Sequence, residues 1–473
     1  MFAGEIELER YKYLLKNIGL LTVSSISTKL LMFLLVPLYT SILSTSDYGK
    51  YDFIQSTVGI LVPILTLNMY EAVMRYAMDK NYSISDVFAV GIHYCIIGNL
   101  IVMFFLFVNW LLTFNAFIKE FSVCFFSLFF VNSLFGIISS AARGLGQIKS
   151  ISISGVIGSS VAIFMNILCL CVFKWGLDGY FVANIMGILS QLVYLMVKIH
   201  CWTYLSLCLP GEKVKKEMLG YSIPTIANSV AWWVNGLADR YIIIFFCDMS
   251  VNGVYSVASK IPAILNVLQG IFSQAFILSA VKEFDADDRE GFFRKTFAAY
   301  NFVLIILCSL IICFDKFLAQ ILYANEFFTA WKYVPFLTIS IIFGSLSGYA
   351  GSIFATIKRS DYFFRCSGAG AVINILMNLI LVPMIGALGA AIATTFSYWI
   401  VYMVSMYYLN KSMNVKLAQM KDNVAYLVLL FQSLMLLIEY EIHLLEYLIQ
   451  FVTVIFFIVM YFKEIKWIVY KGT

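Results

Sequence analysis

The chain of 473 residues is 62% hydrophobic and 12% charged, with a formal net charge of +5 and a mean hydropathy of +0.89. A water-soluble domain carries about 25% charged residues, so this composition excludes a soluble globular protein. It predicts an all-α polytopic membrane protein.

The hydrophobic segments are long enough to cross a membrane as helices, which takes about 20 apolar residues each. They predict about fourteen membrane helices, at residues 17–43, 51–73, 87–113, 121–142, 152–173, 179–200, 219–246, 253–281, 297–314, 333–357, 363–382, 388–409, 422–438 and 444–462. The first segment is too long for a signal peptide and lacks a small-residue cleavage site, so it is expected to remain in the protein.

Lysine and arginine are unevenly distributed over the predicted loops. With the N-terminus in the cytoplasm, most of the 32 Lys and Arg residues fall on cytoplasmic ends and loops. Those on the other side are Lys50, Lys119, Lys174, Lys316 and Lys332. This asymmetry follows the positive-inside rule and predicts a multi-pass protein with both termini in the cytoplasm. Every outer loop is short, which leaves no room for an outer catalytic domain.

Short sequence patterns recur in the same order in the two halves of the chain. Gly49-Lys-Tyr51 recurs as Gly253-Val-Tyr255, and Met165-Asn166 recurs as Met377-Asn378. The similar spacing of the copies indicates an old internal duplication that relates helices one to six to helices seven to twelve in parallel topology. The predicted organisation is an N-terminal lobe (1–204), a cytoplasmic linker (205–218), a C-terminal lobe (219–410) and two accessory helices (411–473) that pack against the lobes or contact lipid.

Residues 374–395 predict a tight hairpin between helices eleven and twelve. Pro383 has no amide for a continuing helix, while Gly386 and Gly389 permit a sharp turn and a close helix contact. The alanines that follow give helix twelve a small-residue face for packing inside a membrane.

Polar residues recur at helical spacing in three of the predicted helices. They are Thr22, Ser25 and Lys29 in helix one; Thr225, Asn228, Trp232, Asn235 and Asp239 in helix seven, beside Arg240; and Ser259, Asn266, Gln269 and Ser273 in helix eight, beside Lys260. A charge at the bilayer centre costs about 2.5 to 3.5 kcal/mol, so such residues usually face a partner or a wet cavity. One interpretation is a shared substrate cavity; the other is that the uncharged residues only join helices by hydrogen bonds.

The predicted helix interiors contain three cations, Lys29, Arg240 and Lys260, and one anion, Asp239. Unless Asp239 neutralises Arg240 locally, they predict a positively charged cavity that suits an anionic substrate. Trp232 adds an aromatic face of the kind that stacks on sugars. We therefore assign substrate binding to Lys29, Asn228, Trp232, Asn235, Asp239, Arg240 and Lys260.

The inner ends of helices two and four carry candidate gating residues. Glu71 precedes Arg75 by about one helical turn, a spacing typical of a plain helix ion pair. The alternative is a cytoplasmic gate formed by Glu71, Arg75 and Arg143. Prolines in the helices that correspond in the duplication predict bends around a central cavity; they are Pro37, Pro63, Pro224 and Pro262.

The remaining residue patterns predict no enzyme chemistry. The ten cysteines lie mostly in apolar segments and are expected to act as small apolar side chains. There is no phosphate-binding glycine loop of the nucleotide-hydrolysing type. We expect no catalytic or metal site and no cofactor, apart from a coupling ion, H⁺ or Na⁺, whose identity the sequence does not decide.

Six stretches of the sequence carry a family resemblance. They are Asp239-Arg240-Tyr-Ile-Ile with Val251-Asn-Gly-Val-Tyr255-Ser-Val-Ala-Ser-Lys260-Ile, the hairpin at 374–395, Ser46-Asp-Tyr-Gly49-Lys-Tyr51, Glu71-Ala-Val-Met-Arg75-Tyr76 and Arg143-Gly-Leu-Gly. They resemble signatures of bacterial polysaccharide flippases, the O-antigen flippase family of the multidrug/oligosaccharidyl-lipid/polysaccharide exporter superfamily. The resemblance covers about residues 16–409.

The resemblance implies two six-helix lobes in a V shape that work by alternating access. It implies an undecaprenyl-pyrophosphate-linked oligosaccharide as substrate, moved across the bacterial cytoplasmic (inner) membrane for O-antigen (lipopolysaccharide), capsule or exopolysaccharide assembly. The expected protein is a monomer that contacts membrane lipid, has no nucleic-acid partner, and works beside a polysaccharide polymerase and a chain-length regulator.

Two other functional classes stay open. A cation-coupled small-molecule or multidrug exporter of the same superfamily would need buried carboxylates to bind protons or sodium, whereas the interior charge here is mainly basic. A polysaccharide polymerase or ligase would need large outer loops with acid/base residues, and the short loops argue against it. The leading prediction is a flippase that is not an enzyme.

Overall fold

The computed structural model describes residues 29, 33–204, 211–282, 285, 287–289, 291–357, 359–413, 416–438, 443–464 and 466. Over these residues the chain forms helices and turns, with no β-strand. Nine helices in this part of the chain are long and apolar enough to cross a membrane, or ten if one bent pair counts as a single span. The all-α polytopic membrane fold is therefore confirmed.

The α-helices are numbered here in chain order. They are α1 (Val36–Ile42), α2 (Thr45–Leu65), α3 (Met69–Ala77), α4 (Ile84–Leu112), α5 (Ala116–Glu120), α6 (Ser122–Gly144), α7 (Ile148–Asn166), α8 (Gly176–Lys198), α9 (Glu212–Phe246), α10 (Met249–Ala258), α11 (Ala263–Lys282), α12 (Phe292–Cys313), α13 (Asp315–Leu322), α14 (Val334–Thr356), α15 (Ser360–Ile385), α16 (Ala387–Ser412), α17 (Met420–Leu437) and α18 (His443–Met460). A π-helical segment, Ile167–Val172, continues α7, and 3₁₀ turns occur at Cys201–Thr203 and Asn325–Lys332.

Two of the predicted membrane helices are interrupted in the structure. Predicted helix two becomes α2 and α3, which meet at an angle of 59°. Predicted helix eight becomes α10 and α11, and Pro262 lies in the gap between them. Proline lacks an amide hydrogen and its ring clashes with the preceding turn, so a helix tends to end before it. Pro224, by contrast, lies inside the continuous helix α9.

The described chain divides into two compact units, Met1–Trp233 and Val234–Thr473. The division falls inside α9, which begins at Glu212 and so includes part of the predicted linker. Linker residues 205–210 lie outside the described part, as do Thr22 and Ser25 of predicted helix one. The predicted limits of the two lobes and of the accessory helices stay predictions.

Small residues let helices of the first unit approach closely. A Cβ atom added to Gly187 in α8 would lie 2.8 Å from Cβ of Ala162 and 3.0 Å from the carbonyl oxygen of Gly158, both in α7. The two backbones are therefore nearly in contact, which is how membrane helices associate where there is no water to drive them together.

The second unit contains the predicted hairpin. Gly386 connects α15 to α16 with a φ of 61°, a left-handed value that favours glycine. A Cβ on Gly389 would lie 2.5 Å from the carbonyl oxygen of Leu381, so the two helices touch directly after the turn. Both glycines have the roles that the sequence predicted for them.

The last two helices are fixed to the second unit by buried amides. Oγ of Ser309 in α12 donates a 2.9 Å hydrogen bond to Oε1 of Gln432 in α17, and Nε2 of Gln432 donates a 2.9 Å bond to Oε1 of Gln450 in α18. Gln432 and Gln450 are at most 1% exposed. Such bonds hold membrane helices together because an unpaired amide in an apolar interior is costly.

Candidate functional site

The predicted polar stripe on α9 contains both buried and exposed side chains. Asn235 and Asp239 are each 3% exposed, whereas Trp232 is 46% exposed and Asn228 is also exposed. Thr225 is half-buried and accepts a 2.7 Å hydrogen bond from Nδ2 of Asn68. The helical spacing is present as predicted, but these residues do not share one environment.

The carboxylate of Asp239 is the centre of a buried hydrogen-bonded cluster in the second unit. The hydroxyl of Tyr255 in α10 donates a hydrogen bond to Oδ2, and Oγ1 of Thr394 in α16 donates a 3.3 Å bond to the same oxygen. The backbone amide of Arg240 donates a 3.0 Å bond to Oδ1. A buried carboxylate needs such donors, because its desolvation is costly when they are absent. Asp239 thereby joins three helices.

Asparagines of α15 extend this cluster. Nδ2 of Asn374 donates to Oγ1 of Thr394 at 3.4 Å, and Nδ2 of Asn378 donates to the backbone oxygen of Asn374 at 2.9 Å. Further along α9, Nδ2 of Asn235 donates a 2.9 Å bond to the backbone oxygen of Ser367. The buried half of the α9 stripe therefore packs against α15 and α16 within the second unit.

The three predicted interior cations differ in exposure. Arg240 is 8% exposed, and its Nη1 donates a 3.2 Å bond to the backbone oxygen of Gly236 one turn earlier. Lys260 is half-buried and lies in the gap between α10 and α11. Lys29 is helical and exposed. Lys260 and Lys29 therefore have accessible side chains, while the guanidinium of Arg240 is mostly covered.

The predicted gating residues lie on two neighbouring helices of the first unit, with Glu71 in the first turn of α3 and Arg75 in its last turn. Glu71 and Arg75 lie on α3, where Glu71 is half-buried and Arg75 is exposed, and Arg143 is exposed in the last turn of α6. The ends of α3 and α6 approach closely, since a Cβ on Gly144 would lie 2.4 Å from Cβ of Ala77. A gating role for these residues remains a prediction.

Sequence reasoning selected Asp239 but missed its hydrogen-bond partners. Tyr255 lies 16 residues after Asp239 and Thr394 lies 155 residues after it, and neither side chain has a charge that would single it out in an apolar helix. The signal was nevertheless present, because Tyr255 lies in one of the family-like stretches and Asn374, Asn378 and Thr394 lie in the hairpin stretch. The structure brings these stretches together at one carboxylate.

Comparisons with known proteins place the chain among membrane proteins of polysaccharide synthesis. Residues 14–281 match the family model described as polysaccharide biosynthesis protein. A Haloferax volcanii protein named probable low-salt glycan biosynthesis flippase Agl15 is 23% identical over 218 residues, which are 45% of this chain and 45% of that protein. An uncharacterized membrane protein of Methanocaldococcus jannaschii is 23% identical over 211 residues, 42% of this chain and 40% of that protein. The matches span less than half the length of these relatives.

The fold is also similar to those of solved transporters. The lipid II flippase MurJ, in an inward closed conformation, superposes with a TM-score of 0.67 over 94% of this chain and 99% of that one, at 15% identity. An inward-facing MATE family multidrug resistance transporter of the MOP superfamily superposes with a TM-score of 0.64 over 84% of this chain and 95% of that one, at 13% identity. At these identities the likeness shows the fold alone.

Proposed function

The chain belongs to the polysaccharide biosynthesis protein family, and from that premise we propose that it is a flippase for a lipid-linked oligosaccharide. The proposed substrate is an undecaprenyl-pyrophosphate-linked repeat unit, moved from the cytoplasmic to the outer leaflet by alternating access. The proposed setting is the bacterial inner membrane, with both termini in the cytoplasm. The product serves O-antigen (lipopolysaccharide), capsule or exopolysaccharide assembly.

The observation that supports an anionic substrate is the accessibility of lysines in apolar helical segments. Lys29 is exposed and Lys260 is half-buried between α10 and α11. A lysine at membrane depth is costly unless it meets water or an anion. A pyrophosphate is such an anion, and an ammonium group binds it as a point charge, while the guanidinium of Arg240 can bind two oxygens at once. We assign pyrophosphate contact to Lys29, Lys260 and Arg240.

The exposed part of the α9 stripe is assigned to the saccharide. Trp232 offers an aromatic face. Asn228 offers an amide that can donate hydrogen bonds to sugar hydroxyl groups and accept hydrogen bonds from them. Asn235, which is bonded to Ser367 in this conformation, would join them when the helices rearrange. The proposal makes Glu71, Arg75 and Arg143 the inner gate.

A coupling ion, H⁺ or Na⁺, forms part of the proposal. Asp239 is the acidic group assigned to it, because its buried carboxylate is held by donors from α10 and α16 that a change in protonation would disturb. The proposed partners are a polysaccharide polymerase and a chain-length regulator, and the proposed active species is a monomer in contact with membrane lipid.

A cation-coupled small-molecule exporter is the second candidate. The buried carboxylate of Asp239 favours it, since carboxylates are the usual proton and cation acceptors within membrane helices. It differs from the flippase in its substrate, so loss of the gene would change drug tolerance and leave surface glycan intact.

The deciding experiment deletes the gene and complements it with variants, measuring surface glycan and the lipid-linked repeat unit. We expect the deletion to remove one glycan and to accumulate its lipid-linked precursor. Lys260→Gln should fail to restore export at normal protein levels, whereas Lys411→Gln, which neutralises an exposed lysine at the end of α16, should restore it. Intact glycan in the deletion strain, or full export with Lys260→Gln and Lys29→Gln combined, contradicts the proposal.

A further inference from the structure

The break between α2 and α3 leaves a backbone carbonyl without its helical partner. Leu67 and Asn68 have φ values of 50° and 52°, in the left-handed region that interrupts a helix. The amides of residues 66, 67, 68 and 69 donate to the carbonyl oxygens of Val62, Ile64, Pro63 and Thr66, respectively. None of these four amides donates to the carbonyl oxygen of Leu65, the last residue of α2. Leu65 is half-buried, and a backbone carbonyl in the protein interior normally has a partner.

The side chain of Asn68 adds a second acceptor to the same break. Asn68 is fully buried, and its Nδ2 donates to Oγ1 of Thr225 at 2.7 Å and to Oγ of Ser229 at 3.2 Å. Oγ1 of Thr225 uses its only hydrogen to bond the backbone oxygen of Ser222 at 2.6 Å, so it must accept from Asn68. This fixes the orientation of the amide. Oδ1 of Asn68 accepts no hydrogen bond from the described chain.

One residue of α4 packs directly against the break. Gly98 of α4 packs there so closely that a Cβ would lie 2.9 Å from the carbonyl oxygen of Leu65 and 3.1 Å from Cγ2 of Thr66. Glycine has no side chain to give the carbonyl a hydrogen bond. The Leu65 carbonyl oxygen and Oδ1 of Asn68, three residues apart at the same break, therefore both lack a hydrogen-bond donor from the described chain, which is unfavourable in a protein interior.

We infer that the α2–α3 break binds a monovalent cation, represented by Na⁺, through the carbonyl oxygen of Leu65 and Oδ1 of Asn68. The end of α2 favours a cation because a helix C-terminus carries about half a negative charge. Unwound carbonyls and half-helix C-termini are the groups that coordinate Na⁺ in transporters with broken helices. Both oxygens are neutral, which suits a singly charged ion, whereas a divalent ion would require carboxylates.

This site is separate from the groups assigned above to substrate and coupling. It lies within the first unit and contains none of the proposed pyrophosphate contacts, while Asp239 belongs to the second unit. The inference therefore does not depend on the identity of the transported substrate, and it can fail or hold independently of the flippase proposal.

Hydrogen exchange of the purified full-length protein in detergent tests the site directly. Exchange is compared in sodium chloride and in choline chloride at equal ionic strength. With Na⁺ at about ten times its dissociation constant, we expect the backbone amides of residues 64–72 to exchange about tenfold more slowly than in choline. The same protection in Asp239→Asn would show that it does not arise from the second unit.

Two pairs of variants make the result specific. Asn68→Leu should lose the Na⁺ protection. Asn166→Leu should retain it, because it replaces another buried asparagine with an unbonded Oδ1 where α7 continues into the π-helical segment without a left-handed residue. Gly98→Ala should also lose it, because the new Cβ must displace the Leu65 carbonyl. Gly136→Ala, whose Cβ would make only an ordinary 3.7 Å contact with Tyr70, should not.

The possible outcomes separate the site from its alternatives. Protection by potassium chloride equal to that by sodium chloride would support a monovalent-cation site without size selection. Equal exchange in sodium and choline chlorides would mean that the break holds at most a water molecule, and would overturn the inference. Na⁺ protection that survives both Asn68→Leu and Gly98→Ala would place any cation elsewhere and overturn it as well.

Discussion

The hydroxyl of Tyr82 donates a 2.6 Å hydrogen bond to Oε2 of Glu217, a residue in the second turn of α9. The hydroxyl of Tyr76 donates a 3.1 Å bond to the backbone oxygen of the same glutamate. The rings of the two tyrosines also meet edge to face, with centroids 4.9 Å apart. The start of α9 is therefore tied to the segment that follows the α2–α3 break, all within the first unit.

The bond between Tyr82 and Glu217 should contribute measurably to stability. We expect Tyr82→Phe and Glu217→Gln each to lower the midpoint of thermal unfolding, with the double variant no less stable than the worse single one. Thermal unfolding of the purified protein measures all three. Tyr221→Phe, which alters an exposed tyrosine on the same helix, is the control. Additive losses in the double variant would mean that the two side chains do not interact in solution.

The same bond predicts how Tyr82 titrates. Its hydrogen bond to Glu217, followed by partial burial, raises the pKa of Tyr82 from 10.0 to about 12. Because the folded-state pKa is raised, the bond stabilises the protein below about pH 10, and this contribution is lost as the pH rises toward 12. The phenolate absorbance that Tyr82→Phe removes should therefore appear late in a pH titration of the wild type. In Glu217→Gln it should appear earlier; an unchanged midpoint would refute the assignment.

Much of the fold followed from composition and charge. Hydropathy alone locates long apolar helices, and the Gly386 turn was predicted because only a few residue types permit it. Pro63 predicted a bend in predicted helix two, but the break between α2 and α3 lies a few residues later. It was not located from the sequence, because Leu67 and Asn68 take left-handed backbone angles that their residue types do not indicate. Pro262 indicated an interruption near the α10–α11 gap, but not that the gap extends from Ser259 to Pro262.

The candidate site was only partly visible in the sequence for a physical reason. Helical periodicity shows which residues share a face of one helix, and it correctly aligned Asn235 with Asp239. It does not show what packs against that face. Ser367 and Thr394 come from helices that are remote in sequence, and their contacts decide which polar residues on α9 are covered.

Two buried tyrosine–aspartate pairs in the second unit allow a controlled test of the Asp239 cluster. Tyr255 bonds Oδ2 of Asp239, and Tyr461 bonds Oδ1 of Asp422 at 2.7 Å. Both tyrosines are at most 2% exposed. Replacing either by phenylalanine should therefore lower the free energy of unfolding by a similar amount, about 1 to 3 kcal/mol. Only the first pair joins helices that carry family-like stretches.

The expected difference lies in transport. Tyr255→Phe and Asp239→Asn should lower glycan export by about tenfold or more, since about 1.4 kcal/mol of lost coupling already corresponds to a factor of ten. Tyr461→Phe should lower stability by a similar amount while export per folded molecule stays near the wild-type level. Export is measured as surface glycan, normalised to protein in the membrane. Equal losses for Tyr255→Phe and Tyr461→Phe would make the Asp239 cluster structural.

The exposed half of the α9 stripe gives the last prediction. In a background without native cysteines, Asn228→Cys and Trp232→Cys should react with a small water-soluble thiol reagent, because both positions are exposed and the cavity hypothesis places water beside them. Asn235→Cys should react slowly, since that position is 3% exposed. The reaction is followed as labelled protein against time in intact membranes.

Phe245→Cys separates water exposure from lipid exposure on the same helix. Phe245 is 80% exposed but apolar, as expected of a side chain that faces lipid, and a lipid-facing thiol is not ionised and does not meet a charged reagent. If Asn228→Cys is as unreactive as Phe245→Cys, the exposed part of the stripe faces lipid and the cavity hypothesis for α9 fails. If Asn235→Cys reacts as fast as Asn228→Cys, the helices packed against position 235 separate in the membrane, and this position becomes accessible to water during the transport cycle.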